Sequence, residues 1–160
     1  MKTRSWLFLI SLLLPGNIAL AADNNAPWGH ASATEINYKP HKVVYDVAAY
    51  SMAAFSNVLD RVSYLNTVYE ADPFDSSIIL VLHGDEIPYF AIENYNKHKE
   101  LMSRAKSLQD SGNIEFRMCT LAAQSHGFKP DEIHGFVKMV PMADAEIIRL
   151  QQEQNHAYMR

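Results

Sequence analysis

The stretch Ile114-Glu115-Phe116-Arg117-Met118-Cys119, continued by Thr120-Leu121-Ala122-Ala123-Gln124-Ser125-His126-Gly127, decides how this chain folds. Its first half reads as a strand that runs straight into Cys119. Its second half has helical composition and stops at a glycine, so the cysteine sits where a strand hands over to a helix. Working outward, Ser77-Ile78-Ile79-Leu80-Val81-Leu82 is a continuous apolar run, too short for a helix and bounded by Ser76 and Gly84, as a central strand requires. Lys42-Val43-Val44-Tyr45-Asp46-Val47 is a β-branched run of the same kind, and Phe136-Val137-Lys138-Met139-Val140 makes a fourth.

Between these runs the apolar period changes to three and four. Phe55, Val58, Leu59, Val62, Leu65 and Val68 mark a helix from about Met52 to Glu70 that Ala71-Asp72-Pro73 ends. A second helix is predicted over Ala91–Asp110, stopped by Ser111-Gly112, and a last one over Ala143–Gln154, with a single helical turn at Lys129–Glu132. Strands alternating with helices imply parallel pairing, right-handed crossovers and helices on both faces. The predicted architecture is a three-layer α/β/α sandwich around a mostly parallel sheet.

In such sheets ligands bind beyond the carboxyl ends of the strands. The residues gathered there are Asp46, His83-Gly84-Asp85, Cys119-Thr120 and Pro141-Met142. A cysteine at a helix start faces unpaired amides that favour thiolate, the form that attacks the sulfur of a disulfide or persulfide. Cys119 and His83 are therefore the candidate catalytic pair, and Gly84, Thr120 and Asp46 the candidate substrate contacts. Gly84 implies either a positive φ or the close approach of a ligand, and Asp46 or Asp85 could orient His83. Each has a plainer alternative: a buried inert thiol for Cys119, a strand-end cap for His83, and helix caps or solvated turns for the acids.

The termini and composition bound the function. Met1-Lys2-Thr3-Arg4, the apolar run Trp6–Leu14, Pro15-Gly16 and Ala19-Leu20-Ala21 have the order of a cleaved secretory signal over residues 1–21. The apolar core falls short of the roughly 20 residues that span a bilayer, so no stable membrane anchor is expected. Residues 22–40 read as a flexible N-terminal arm, and 41–160 as one domain. Export points to the periplasm, where cysteines normally pair, yet the chain has a single cysteine and so no internal disulfide. Loss of Lys2 and Arg4 takes the formal charge from −4 to −6, and with no basic stripe a nucleic-acid partner is not expected. No cofactor is expected. The nominal soft ligands Cys119, His126, Met118, His134, Met139 and Met142 lack metal-site spacing, since Met118 alternates away from Cys119 on a strand and Met139 reads as sheet filling.

Four stretches, in this order and spacing, resemble the DsrE/DsrF-like family of sulfur-relay proteins: Lys42–Val47, Ile79-Leu80-Val81-Leu82-His83-Gly84, Ile114–Cys119, and Val137 to Met159 with Leu150-Gln151 and Ala157-Tyr158. The resemblance implies a flavodoxin-like topology, assembly into homotrimers or hexamers, and Cys119 as the strand-end cysteine that carries sulfur as a persulfide. The expected function is a periplasmic sulfur-handling or thiol-redox accessory protein, a sulfur carrier rather than a turnover enzyme, exchanging sulfur with a donor or acceptor protein. The rival expectation is a non-catalytic oligomeric module that binds a small ligand or a protein, with a structural cysteine.

Overall fold

The structure is a computed structural model, and it describes residues 26–160. The expected signal and the first residues of the expected arm lie outside the described residues. The chain divides into two units, residues 1–36 and 37–160. The described part of the first makes a turn closed by the Gly29 N–H on the Ala26 carbonyl at 2.9 Å, then runs exposed to Ile36.

The second unit is a five-stranded, wholly parallel sheet. Strands β1 (Lys42–Val47), β2 (Ser77–Leu82), β3 (Ile114–Cys119) and β4 (Val137–Val140) follow one another across it. Helices α1 (Met52–Val68), α2 (Tyr95–Gln109) and α3 (Thr120–Ser125) connect them in turn. After β4 the helix α4 (Ala143–Gln154) carries the chain back to β5 (Ala157–Met159), which pairs with β1, giving the order β4-β3-β2-β1-β5.

That order fixes which face each helix covers. Right-handed crossovers that advance one way across a sheet stack on one face, and a crossover that runs back must lie on the other. Phe55, Leu59 and Val62 of α1, with Met102 and Ala105 of α2, accordingly pack on Tyr45, Leu80, Phe116 and Met118. Ala143, Ile147 and Leu150 of α4 pack on Val44, Ile79, Val81 and Cys119 from the opposite side. Met118 and Cys119 point to opposite faces, as alternation along a strand demands. The α/β three-layer, flavodoxin-like architecture is as expected from the sequence.

Three local readings change. A fifth strand exists, which a three-residue segment with no apolar period does not announce. The helix expected from Ala91 begins at Tyr95, because Ala91 is extended (φ −72, ψ 133) and bridges Ile133, while short 3₁₀ turns occupy Ile87–Phe90 and Ile92–Asn94. Gly84 does not have a positive φ. Its missing side chain makes room for the chain itself: a Cβ there would lie 2.6 Å from Ala48 Cα and 2.8 Å from Glu86 Oε2. Glu86, fully buried, accepts from the Ala49 N–H at 2.7 Å and the Gly84 N–H at 2.9 Å, so one carboxyl ties the loops after β1 and β2 together. Burial pushes that carboxyl up despite these bonds.

With α4 over Val44, Ile79 and Val81, the same face of β3 and β4 is covered by charge. Arg117, only 6 % exposed, binds Glu115 bidentately at 2.9 Å and also binds Glu146 of α4. Arg149 grips Glu146 at 2.8 and 2.9 Å, and Lys138 stands 3.7 Å from Glu115. Hydrogen bonding from Arg149, against the pull of burial and with help from Arg117, holds Glu146 below the usual carboxyl value.

Two outcomes follow from this packing. Gly84→Ala must push backbone apart and is expected to cost about 1–3 kcal/mol in urea unfolding; an unchanged midpoint would show that the loops are not in contact. A carboxyl held below its unfolded value of 4.5 contributes stability that is fully present above that pH and is lost as pH falls through the lowered value. Arg117→Met, which strips a buried partner from Glu146, is expected to cost about 3 kcal/mol at neutral pH. It should also flatten the acid limb of the stability profile, measured by urea unfolding below roughly pH 5.

Candidate functional site

The site forms where the chain reverses its course. α3 leaves the carboxyl end of β3 toward one face of the sheet and α4 leaves β4 toward the other, so the two strand ends part and a crevice opens between them. This crevice is a cleft of about 250 Å³. Cys119, Ala122, Met142, Ala143 and Asp144 line it together with His83 from the end of β2.

Cys119 is the residue before α3, with extended backbone (φ −65, ψ 118), and its Sγ accepts from the Ala122 N–H at 3.5 Å. The residue is 5 % exposed: it belongs to the apolar cluster that includes Val81, Ala143 and Leu150, and it also lines the cleft. Both sequence readings are thus partly present, an apolar seat and an open edge.

His83 follows β2 one step past the Leu82–Met118 pair, which sets it beside Cys119 across adjacent strands. Its own N–H bonds the Val47 carbonyl at 3.0 Å. On the ring, Nε2 lies 2.5 Å from Asp46 Oδ1, and the two side chains are 26 % and 20 % exposed. A carboxylate only accepts, so Nε2 carries a proton, and in the neutral form of the ring it is Nδ1 that keeps the lone pair. The second oxygen of Asp46 receives the Tyr158 hydroxyl at 2.5 Å. Burial raises the Asp46 carboxyl, but the bonds from Tyr158 and His83 outweigh it, and the group stays below its usual value.

The structure therefore brings Cys119, His83 and Asp46 to one rim. Gly84 instead serves loop packing, and Thr120 opens α3 without lining the cleft. His83 also borders a second cleft of about 220 Å³ with Tyr50, Val58 and Arg160. Sequence reasoning missed a site role for Tyr158, which it names only within the family-like stretch that ends at Met159, and the wall formed by Ala143 and Asp144. The signals for Tyr158 were its place just beyond the last helix and the pair Ala157-Tyr158 within the family-like stretch. Among the described residues no three His, Cys, Asp or Glu side chains form a metal-binding group, and no helix is long and apolar enough to cross a membrane.

No curated protein matches the chain. Among solved structures it is similar to MTH1491, a protein of unknown function from Methanobacterium thermoautotrophicum, at 19 % identity and a TM-score of 0.52. The match covers 75 % of this chain and 98 % of that one. At that identity the likeness shows the fold alone. The profile of the DsrE/DsrF-like family matches residues 36–159, which takes in every strand and helix described above, and the chain belongs to that family.

Proposed function

We propose that this chain is a sulfur-handling or thiol-redox accessory protein that carries sulfur on Cys119. Family membership points to a sulfur-relay role. The observation that carries the single-cysteine reading is that Cys119 and His83 line one cleft while Asp46 holds Nε2 of His83. The thiol proton passes from Cys119 Sγ to His83 Nδ1. The thiolate then attacks the outer sulfur of a persulfide R–S–SH, the S–S bond breaks, and Cys119–S–SH forms as R–S⁻ leaves and takes the proton back from His83. With a disulfide R–S–S–R as donor the same step gives Cys119–S–S–R and R–SH. No outside oxidant or reductant is needed. A cleft of about 250 Å³ is below the roughly 300–1,000 Å³ of ordinary small-molecule sites, which favours a sulfur-bearing tip over a large metabolite.

The apolar seat of Cys119 favours a second reading, a binding module with a structural cysteine. Export through residues 1–21 to the periplasm, and assembly into a trimer or hexamer, are part of the proposal and rest on the sequence.

Inorganic polysulfide is expected to add one sulfur atom to the Cys119 peptide, removable by dithiothreitol, and to add none to Cys119→Ser; an unmodified cysteine in the folded protein would favour the binding module. His83→Gln is expected to slow uptake by about tenfold, less than a positioned base often contributes because thiols ionise without help. Sedimentation at micromolar concentration is expected to give a trimer or larger, and a monomer would remove the assembly from the proposal.

A further inference from the structure

Tyr158 comes from the last three-residue strand of the fold, in register with Val44 and therefore on the face of β1 that carries Asp46. Its hydroxyl and His83 divide the Asp46 carboxylate between them, one oxygen each, at 2.5 Å. A carboxylate bound through one oxygen can swing about its χ2 torsion, but one bound through both oxygens is fixed in plane. We propose that Tyr158 is a positioning residue for His83: by fixing the Asp46 carboxylate it holds the imidazole in the Nε2–H form with the lone pair on Nδ1. This deepens the sulfur-carrier reading of Cys119 and rests on it for its purpose, though not for its test.

The strand that brings Tyr158 is anchored independently. The Arg61 guanidinium of α1 donates to the Arg160 carbonyl at 3.1 Å and lies 5.5 Å from the centre of the Tyr45 ring. β5 pairs with β1 over Val43–Ala157, Val44–Tyr158 and Tyr45–Met159. Removing one hydroxyl therefore leaves the strand docked, and the effect is read at His83. The titratable or charged groups facing Asp46 are His83 from the end of β2, Tyr158 and Arg160 from the end of the chain; Glu86 interacts with His83 and has its own bonds to Ala49 and Gly84.

The experiment compares wild type, Tyr158→Phe, Asp46→Asn and Tyr64→Phe, the last an exposed tyrosine on α1. Nitrogen-15 spectra of the histidine rings report the tautomer of His83, and the rate of polysulfide uptake on Cys119 reports its use. Wild type is expected to show one tautomer, protonated at Nε2. Tyr158→Phe should show a mixture and take up sulfur about threefold to tenfold more slowly, Asp46→Asn should show the same change or a larger one, and Tyr64→Phe should change neither. His83 signals in Tyr158→Phe that coincide with wild type would overturn the proposal. If wild type itself takes up no sulfur, the sulfur-carrier reading falls, and the ring spectra still decide the role of Tyr158.

Discussion

A strand that leaves a parallel sheet returns to it through a right-handed crossover, and in this chain the last crossover runs against the other three. The whole arrangement depends on that reversal. It sends α4 to the face opposite α1 and α2, so the carboxyl ends of β3 and β4 feed helices that diverge, and the space between them becomes the cleft beside Cys119. The same reversal delivers β5 to the free edge of β1, where Tyr158 reaches Asp46. One topological fact thus supplies the cleft, its thiol and the far support of its imidazole.

Among the described residues the reversal also leaves one helix to cover a face of five strands. α4 seals the middle of that face with Ile147 and Leu150, and the flank over β3 and β4 is closed by Arg117, Glu115, Glu146, Arg149 and Lys138. A buried guanidinium is tolerable only because several oxygens meet it, and the bonds from Glu115 and Glu146 do so. This network ties β3 to α4 two residues before Cys119. The β3 and α4 walls of the cleft are therefore held together by charge, and the Glu86 link ties the loop that follows His83 to the loop after β1.

How much of this was legible depended on the length of each signal. Ser77–Leu82 is buried on both faces and so carries unbroken apolar character, while Lys42–Val47 and Ile114–Cys119 are mostly buried and keep their apolar character at most positions. The apolar period of α1, buried at Phe55, Leu59 and Val62, was equally plain. β5 was not legible, because three residues at an edge, two of them exposed, have no pattern to read. Ala91 was assigned to a helix on composition and is drawn into an extended bridge by Ile133, a tertiary contact invisible to any local window. Gly84 stood out as a place for a positive φ or a close ligand, but its φ is not positive and the close group is Ala48 of the same chain. The gathering of Cys119, His83 and Asp46 at one edge followed from parallel pairing, which puts all carboxyl ends of the strands together, whereas Tyr158 required knowing where the chain ends its last crossover.

Cys119 lies between an apolar seat and an open edge, and its function turns on which of the two governs its sulfur. The most direct measurement is the rate at which iodoacetamide alkylates Cys119 in the folded protein across pH, with the modified peptide identified by mass and the urea-unfolded chain as reference. A sulfur served by His83 at an open rim gives alkylation near neutral pH at a rate comparable to the unfolded chain or faster. Alkylation that appears only when the protein unfolds would contradict the account and leave Cys119 as part of the core.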